Sequence, residues 1–247
     1  MPVPDRPVLI TGAAGLFGTI LRRHWGPRYR LRLSDIVPVE DLAPHEEYRA
    51  ADIRVLDQLL AACQGIDTVV HLAAYPGDGA EFYPTLLDLN IVGAYNAFEA
   101  ARRAGCRRLV FASSIDAVRG YWDEGEIRAD APVYPTNLYG ASKCWGEALA
   151  RVYSDRHGLS CICVRLCNPA FDQAGDWDPD EKISGLSPRD AAALLALCVD
   201  NDTLDFAVVN GISDHRHGRL DLEGTRHTLG FEPRDGSAFP RAVPKPS

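Results

Sequence analysis

The chain has 247 residues, 46% of them hydrophobic and 24% charged, with a formal net charge of −8. That is enough apolar material for one sizeable core and too much for a disordered chain. The acidic balance argues against nucleic-acid backbones and anionic membranes as partners, so any phosphate site must be built locally from backbone N–H groups.

The first apolar run, "PVLIT" (7–11), reads as a strand, and helical text follows from Leu16 to about Trp25. "YRLRLSD" (29–35) alternates like a strand, "EYRAAD" (47–52) reads as a weaker one, and "VLDQLLAAC" (55–63) is helical. "DTVVHLAA" (67–74) is a buried strand, followed by a long helix at about 83–104 that Gly105 terminates. "RRLVFASS" (107–114) is the next strand, and a helix over 137–157 precedes the strand "SCICVRL" (160–166). After Asn168 the pattern loosens into an acidic stretch expected to form a loop over a cleft. A helix (188–199), a strand (205–210) and a last helical piece close the chain. Continuous apolar strands separated by helices predict an α/β fold, a doubly wound parallel sheet of Rossmann type with a small C-terminal lobe. Residues 1–168 are expected to form the cofactor-binding core. Residues 169–247 are expected to form a short substrate-binding lobe, not an independent domain.

No apolar run approaches the roughly 20 residues of a membrane span, and the start, "MPVPDRPVLI", lacks a basic region leading into a secretion segment. The seven cysteines are odd in number and scattered through predicted helices and strands, which points to reduced thiols and a cytoplasmic location. Cys161 and Cys163 share one face of a strand, but no second Cys or His pair stands at ligand spacing, and no metal is expected. The same holds for the acidic stretch around Trp177 and for "DHRH" (214–217).

Gly12, Gly15 and Gly18 follow a strand and open a helix, the setting in which such a spacing binds a dinucleotide. Gly12 would permit the tight turn, Gly15 the approach of a pyrophosphate, and Gly18 close packing of helix on sheet. The helix N-terminus supplies free N–H groups and partial positive charge. Asp35 ends the second strand where a carboxylate meets the adenosine ribose and repels a 2′-phosphate, favouring NAD over NADP, although Arg28 and Arg32 lie near. Asp52 and Ile53 are placed to meet the adenine. Tyr139 and Lys143 stand four apart on one helix face, and Ser114 ends a parallel strand where the ligand crevice opens.

The segments "TGAAGLFG", "DI" (52–53), "HLAA" (71–74), "FASS" (111–114) and "YGASK" (139–143), in this order, resemble the extended short-chain dehydrogenase/reductases. Within that group "LYGASKCWGE", "CVRLCNP" and "LGFEPRDGSAF" look most like the uronate dehydrogenases. The resemblance implies NAD as cofactor and a catalytic set of Ser114, Tyr139 and Lys143. Tyr139 would be the general base, Lys143 would lower its pKa and hold the nicotinamide ribose, and Ser114 would orient the reacting oxygen. It extends the cofactor wall to Leu16, Phe17, Leu72, Ala73 and Ala74, and to Asn90, either as a water-linked support of the Tyr–Lys pair or as a structural helix cap. It assigns Ser114, Ile115, Asp116 and Asn168 to the substrate.

The substrate residues depart from the resembled pattern. Uronate dehydrogenases continue the serine pair with Asn-His, where this chain has Ile115-Asp116, and Pro76 stands where they use a hydroxyl. They also clamp the sugar carboxylate with an arginine in the loop after the sixth strand. The corresponding stretch here, 169–186, has Lys182 as its only cation amid five carboxylates, leaving Arg119 and Arg189 as substitutes. A sugar-like small molecule is the expected partner, carboxylate-bearing or neutral. Two alternatives share the core: a nucleotide-sugar epimerase or dehydratase, for which the stretch after Asn168 is short, and a non-catalytic NAD-sensing protein. A homodimer is expected through the helices 83–104 and 137–157, with Ala97, Ala100, Ala101 and Ala104 allowing close packing.

Overall fold

The computed structural model describes residues 6–77, 79–169, 185–213 and 219–235, with the side chains of 168 and 169 excepted. The substrate role expected of the Asn168 side chain, the acidic stretch with Lys182 and the "DHRH" segment lie outside the described residues.

Seven parallel strands form one sheet in the order β3-β2-β1-β4-β5-β6-β9. They are β1 (Pro7–Thr11), β2 (Arg30–Ser34), β3 (Glu46–Tyr48), β4 (Thr68–His71), β5 (Arg108–Ser114), β6 (Ser160–Leu166) and β9 (Phe206–Gly211). A two-residue pair, β7 (Asn168–Pro169) and β8 (Gly185–Leu186), lies apart from it. The order runs outward from β1 in both directions, so a switch point opens between β1 and β4 at their carboxyl ends, where this architecture binds ligands. Every residue of β5 and β6 is buried, as strands covered on both faces must be.

Strand alternation divides the core in two. Val8, Ile10, Leu31, Leu33, Val110 and Ile162 pack with α1 (Leu16–Trp25) and α5 (Pro188–Asp200). Leu9, Val69, Leu109, Phe111 and Cys161 pack on the other face with α2 (Leu56–Cys63), α3 (Gly93–Ala104) and α4 (Leu138–His157). Each large apolar side chain buried here contributes about 1.5–3 kcal/mol. The seven cysteines are unpaired thiols, and burial pushes that of Cys161 up to about 12.

Three expectations are corrected. The third strand stops at Tyr48 rather than continuing to Asp52. The long helix starts at Phe82 with wide, π-type turns and becomes α-helical only at Gly93, where a Cβ would lie 2.6 Å from Ile53 Cδ1. Ala97, Ala100 and Ala101 are fully buried inside this chain's own core beside α2, so they form no outward stripe for a second copy. The sheet continues past residue 168. From beyond it, β9 supplies the seventh strand, and α5 meets α1 where Trp25 Nε1 donates to Ala192 O at 2.8 Å. A final short helix, α6 (Glu223–Leu229), packs near β9, where the Thr225 hydroxyl donates to Asn210 O at 2.9 Å.

Candidate functional site

Gly12 has φ +72°, and a Cβ there would lie 2.8 Å from Ala73 N, so both the turn and the approach of β4 require glycine. Gly15 caps α1 with no side chain to cover the first-turn N–H groups, which leaves them for an anion. A Cβ on Gly18 would meet Ala13 O at 2.5 Å: the helix packs on the glycine turn itself rather than on a strand, as had been expected.

The Asp35 carboxylate is held by this turn, accepting from Ala14 N at 3.0 Å and from Val37 N at 3.1 Å. It lines a cavity of about 360 Å³ together with Asp52, Ile53 and Ala73, and with Ser34, whose buried hydroxyl has no hydrogen-bond partner. A second cavity, of about 460 Å³, runs from Leu16, Phe17 and Gly18 to Ser114, Tyr139 and Lys143. The two share Gly12, Gly15, Leu72 and Ala74. They thus form one groove with the glycine turn at its middle, a shape for an elongated ligand with two heads joined by a diphosphate. The two arginines near Asp35 are engaged elsewhere. Arg32 pairs with Glu47 at 2.7 Å and donates to Ala62 O and Gln64 O, and Arg28 pairs with Asp200. Neither stands over Asp35 to receive an extra phosphate.

At the other end of the groove, β5 delivers Ser113 and Ser114 to opposite sides, as successive strand residues must be. Ser113 donates to Glu147 Oε1 at 2.6 Å, whereas Ser114 lines the groove together with Tyr139. The Ser114 hydroxyl also accepts from Asp116 N at 3.1 Å, closing the turn of residues 115–117. Helix α4 begins at Asn137, whose side chain accepts from Gly140 N at 2.6 Å, a helix-starting cap that sets Tyr139 and Lys143 in register. Lys143 Nζ donates to Ala112 O at 2.9 Å and lies 5.4 Å from the centre of the Tyr139 ring. Ser114, Tyr139 and Lys143 therefore converge on one cavity wall.

The electrostatics correct one expectation. Burial pushes the Tyr139 phenol up to about 12, with Asp116 adding to the rise and the Ser114 hydrogen bond opposing it. The lowering expected from Lys143 is not among the causes of this shift. Burial takes the Lys143 ammonium down to about 8. Beneath it lies His71, which sequence reasoning passed over although "HLAA" contains it. Burial, helped by Lys143, takes its imidazole down to about 3, so it stays neutral and hydrogen-bonds the Thr11 hydroxyl at 2.8 Å.

Other expected residues fall elsewhere. Asn90 lines neither cavity; its amide holds Tyr75 N and O and donates to Ser142 Oγ at 3.0 Å, bracing the 75 loop against α4. Ile115 turns inward and is buried in the core, so it is no wall of the groove, whereas Asp116 is. Arg189 pairs with Asp235 and lines a different surface hollow with His24 and Arg28. Arg119 stands outside the groove, 3.6 Å from Asp116 and stacked 5.1 Å over the Trp122 ring. Sequence reasoning also missed the buried Glu147–Arg165 pair that ties α4 to β6. Its only signal was one acid and one base at positions otherwise reading as core.

Residues 8–195 match the NAD dependent epimerase/dehydratase family. Uronate dehydrogenase of Pseudomonas putida is 34% identical over 97% of this chain and 88% of its own length. Two relatives come from Haloferax volcanii: NAD-dependent glucose-6-phosphate dehydrogenase (33% identical, 95% of each chain) and L-arabinose 1-dehydrogenase (NAD(P)(+)) (32%, 94% of this chain and 97% of that one). A crystal structure of an Agrobacterium tumefaciens uronate dehydrogenase mutant complexed with NAD superposes with a TM-score of 0.82, at 32% identity over 94% of this chain and 86% of that one.

Proposed function

Since the chain belongs to the NAD dependent epimerase/dehydratase family, we propose that it is an NAD-dependent dehydrogenase that oxidises a hydroxyl of a sugar or sugar acid to a carbonyl. The observation that carries this reading is the convergence of Ser114, Tyr139 and Lys143 at one end of a groove whose other end is held by Asp35. The residues present fit NAD. Gly12 and Gly15 leave open backbone at the middle of the groove where side chains would intrude, and the Asp35 carboxylate suits the adenosine ribose hydroxyls while repelling a 2′-phosphate. Gly12, Gly15, Leu16, Phe17 and Gly18 would hold the diphosphate side, with Asp52, Ile53, Leu72, Ala73 and Ala74 as the walls.

When bound, NAD⁺ supplies the hydride acceptor. The Ser114 hydroxyl holds and orients the substrate oxygen. Tyr139, as phenolate, removes the proton from that oxygen while the neighbouring carbon gives up its hydride, so C–OH becomes C=O. Lys143, close to the Tyr139 ring, would favour the phenolate electrostatically and would hold the nicotinamide ribose when NAD is bound. A positioned base of this kind contributes about 10²–10⁴-fold.

Tyr139→Phe tests the reading. The variant is expected to keep NAD affinity, measured by titration, and to lose NADH formation by about 10²-fold or more. Undiminished turnover would remove Tyr139 from the chemistry. The homodimer belongs to the same proposal. Its support is the exposed apolar side chains Tyr95, Trp145 and Val152 on α3 and α4, since the alanines are spent internally. The seven unpaired thiols support a reducing, cytoplasmic setting.

A further inference from the structure

We propose that Asp116 sets the substrate class of this site: its carboxylate accepts hydrogen bonds from the hydroxyls of an uncharged aldose and rejects the matching uronate. The inference rests on the dehydrogenase reading above and names its substrate. The relatives are named for a uronate, a sugar phosphate and a neutral pentose, so family membership leaves the charge of the substrate open and the local chemistry decides it.

Among the described residues, two charged side chains line the catalytic end of the groove, Lys143 and Asp116. Lys143 is buried under Tyr139 with its ammonium donated to Ala112 O, so it is committed to the floor of the site. The charge left to meet the outer part of a substrate is the Asp116 carboxylate, on a firmly built turn. Ser114 Oγ takes the Asp116 N–H, Tyr134 N donates to Ala117 O at 2.8 Å, and Cys144 Sγ on α4 reaches Ala117 O at 3.7 Å. Gly140 completes the seat: a Cβ there would lie 2.4 Å from Asp116 O, so the turn rests directly on the helix that carries Tyr139. Asp116 lines the same cavity as Ser114 and Tyr139. A sugar whose reacting oxygen is held by Tyr139 and Ser114 therefore brings its neighbouring hydroxyls toward Asp116.

A carboxylate offers two oxygens and accepts from a pair of adjacent hydroxyls, but it has nothing to donate to another carboxylate. Arg119 is paired with Asp116 itself, from outside the groove and stacked on Trp122, and Arg165 is paired with Glu147 and buried. The bidentate grip a uronate needs is thus missing from the described wall, where a carboxylate, paired with Arg119 on its outer side, stands instead.

The test uses the intact protein with saturating NAD and follows NADH formation on matched pairs, glucose with glucuronate and galactose with galacturonate. The unsubstituted protein is expected to show kcat/KM about tenfold or more higher for the neutral member of the better pair. Asp116→Asn, with NAD affinity unchanged as its folding control, is expected to lower kcat/KM for the aldose about tenfold or more and to move the aldose-to-uronate ratio toward the uronate by about the same factor. Preference of the unsubstituted protein for a uronate, or an unaltered ratio in the variant, overturns this inference and leaves the dehydrogenase reading standing. Absence of turnover on every sugar, with NAD bound, overturns both.

Discussion

The Glu147–Arg165 pair allows a sharp prediction, because it is a buried charge interaction directly behind the site. The side chains are 7% and 3% exposed, and Arg165 grips both carboxylate oxygens, each at 2.9 Å. Glu147→Gln keeps the size and one acceptor for Ser113 but removes the countercharge. Arg165 is then left buried with the carbonyls of Ala129 and Ala131, both at 3.3 Å, which are long and uncharged partners. At an effective dielectric near 20, charges about 4 Å apart attract by roughly 4 kcal/mol, and breaking such buried pairs typically costs about 3–5 kcal/mol. For a chain of this length that corresponds to a fall in Tm of about 6–20 °C. Thermal unfolding followed by circular dichroism and calorimetry measures it. Replacing both members, Glu147→Leu with Arg165→Met, is expected to recover most of the loss because no lone charge stays buried. A loss below about 1 kcal/mol in Glu147→Gln would refute the reasoning, since it would place the pair in the range of solvent-exposed ion pairs.

Two further outcomes follow from the site. Tyr139 must be deprotonated to act and burial has raised its pKa to about 12, so kcat/KM should climb with pH along an ascending limb. Asp116 adds to that rise, so Asp116→Asn should move the limb to lower pH, read as a change in midpoint independent of amplitude; an unmoved midpoint would show that the two groups do not interact. Gly18→Ala places a Cβ 2.5 Å from Ala13 O and 2.6 Å from Ala13 Cα, both backbone atoms that cannot rotate away. NAD affinity should fall about tenfold or more, equivalent to the 1–3 kcal/mol cost of overpacking, and an unchanged Kd in a nucleotide titration would contradict it.

The groove was legible in the sequence where backbone geometry restricts residue choice. Only glycine suits Gly12 at φ +72° against Ala73, and Asp35 is set by a strand feeding directly into the turn. Ser114, Tyr139 and Lys143 were readable because a strand end and an i, i+4 helix pair point side chains in known directions. What escaped depended on which apolar neighbour a residue meets. The alanines of α3 carry the same helical period whether they face α2 or another chain, and they face α2. Ile115 follows Ser114 yet turns into the core, because the 115–117 turn reverses the strand's alternation. Arg189 looked available on charge alone, but α5 carries it to the far side, against Asp235. The π-type turns of Phe82–Val92 have no compositional mark, and Asn90 within them proved to be a brace between backbone segments rather than a wall of the groove.

The missing Cβ at Gly140 has a consequence for how this scaffold diversifies. With Asp116 O pressed onto the first turn of α4, the loop after β5 and the helix bearing the phenol travel as one rigid block. The identity of residue 116 can then be exchanged, acid for amide or imidazole, while the proton-abstracting apparatus keeps its alignment. On the proposed reading, a change of side chain at 116 alters both what the pocket accepts and how readily the Tyr139 phenol ionises, while the backbone that carries them keeps its seat.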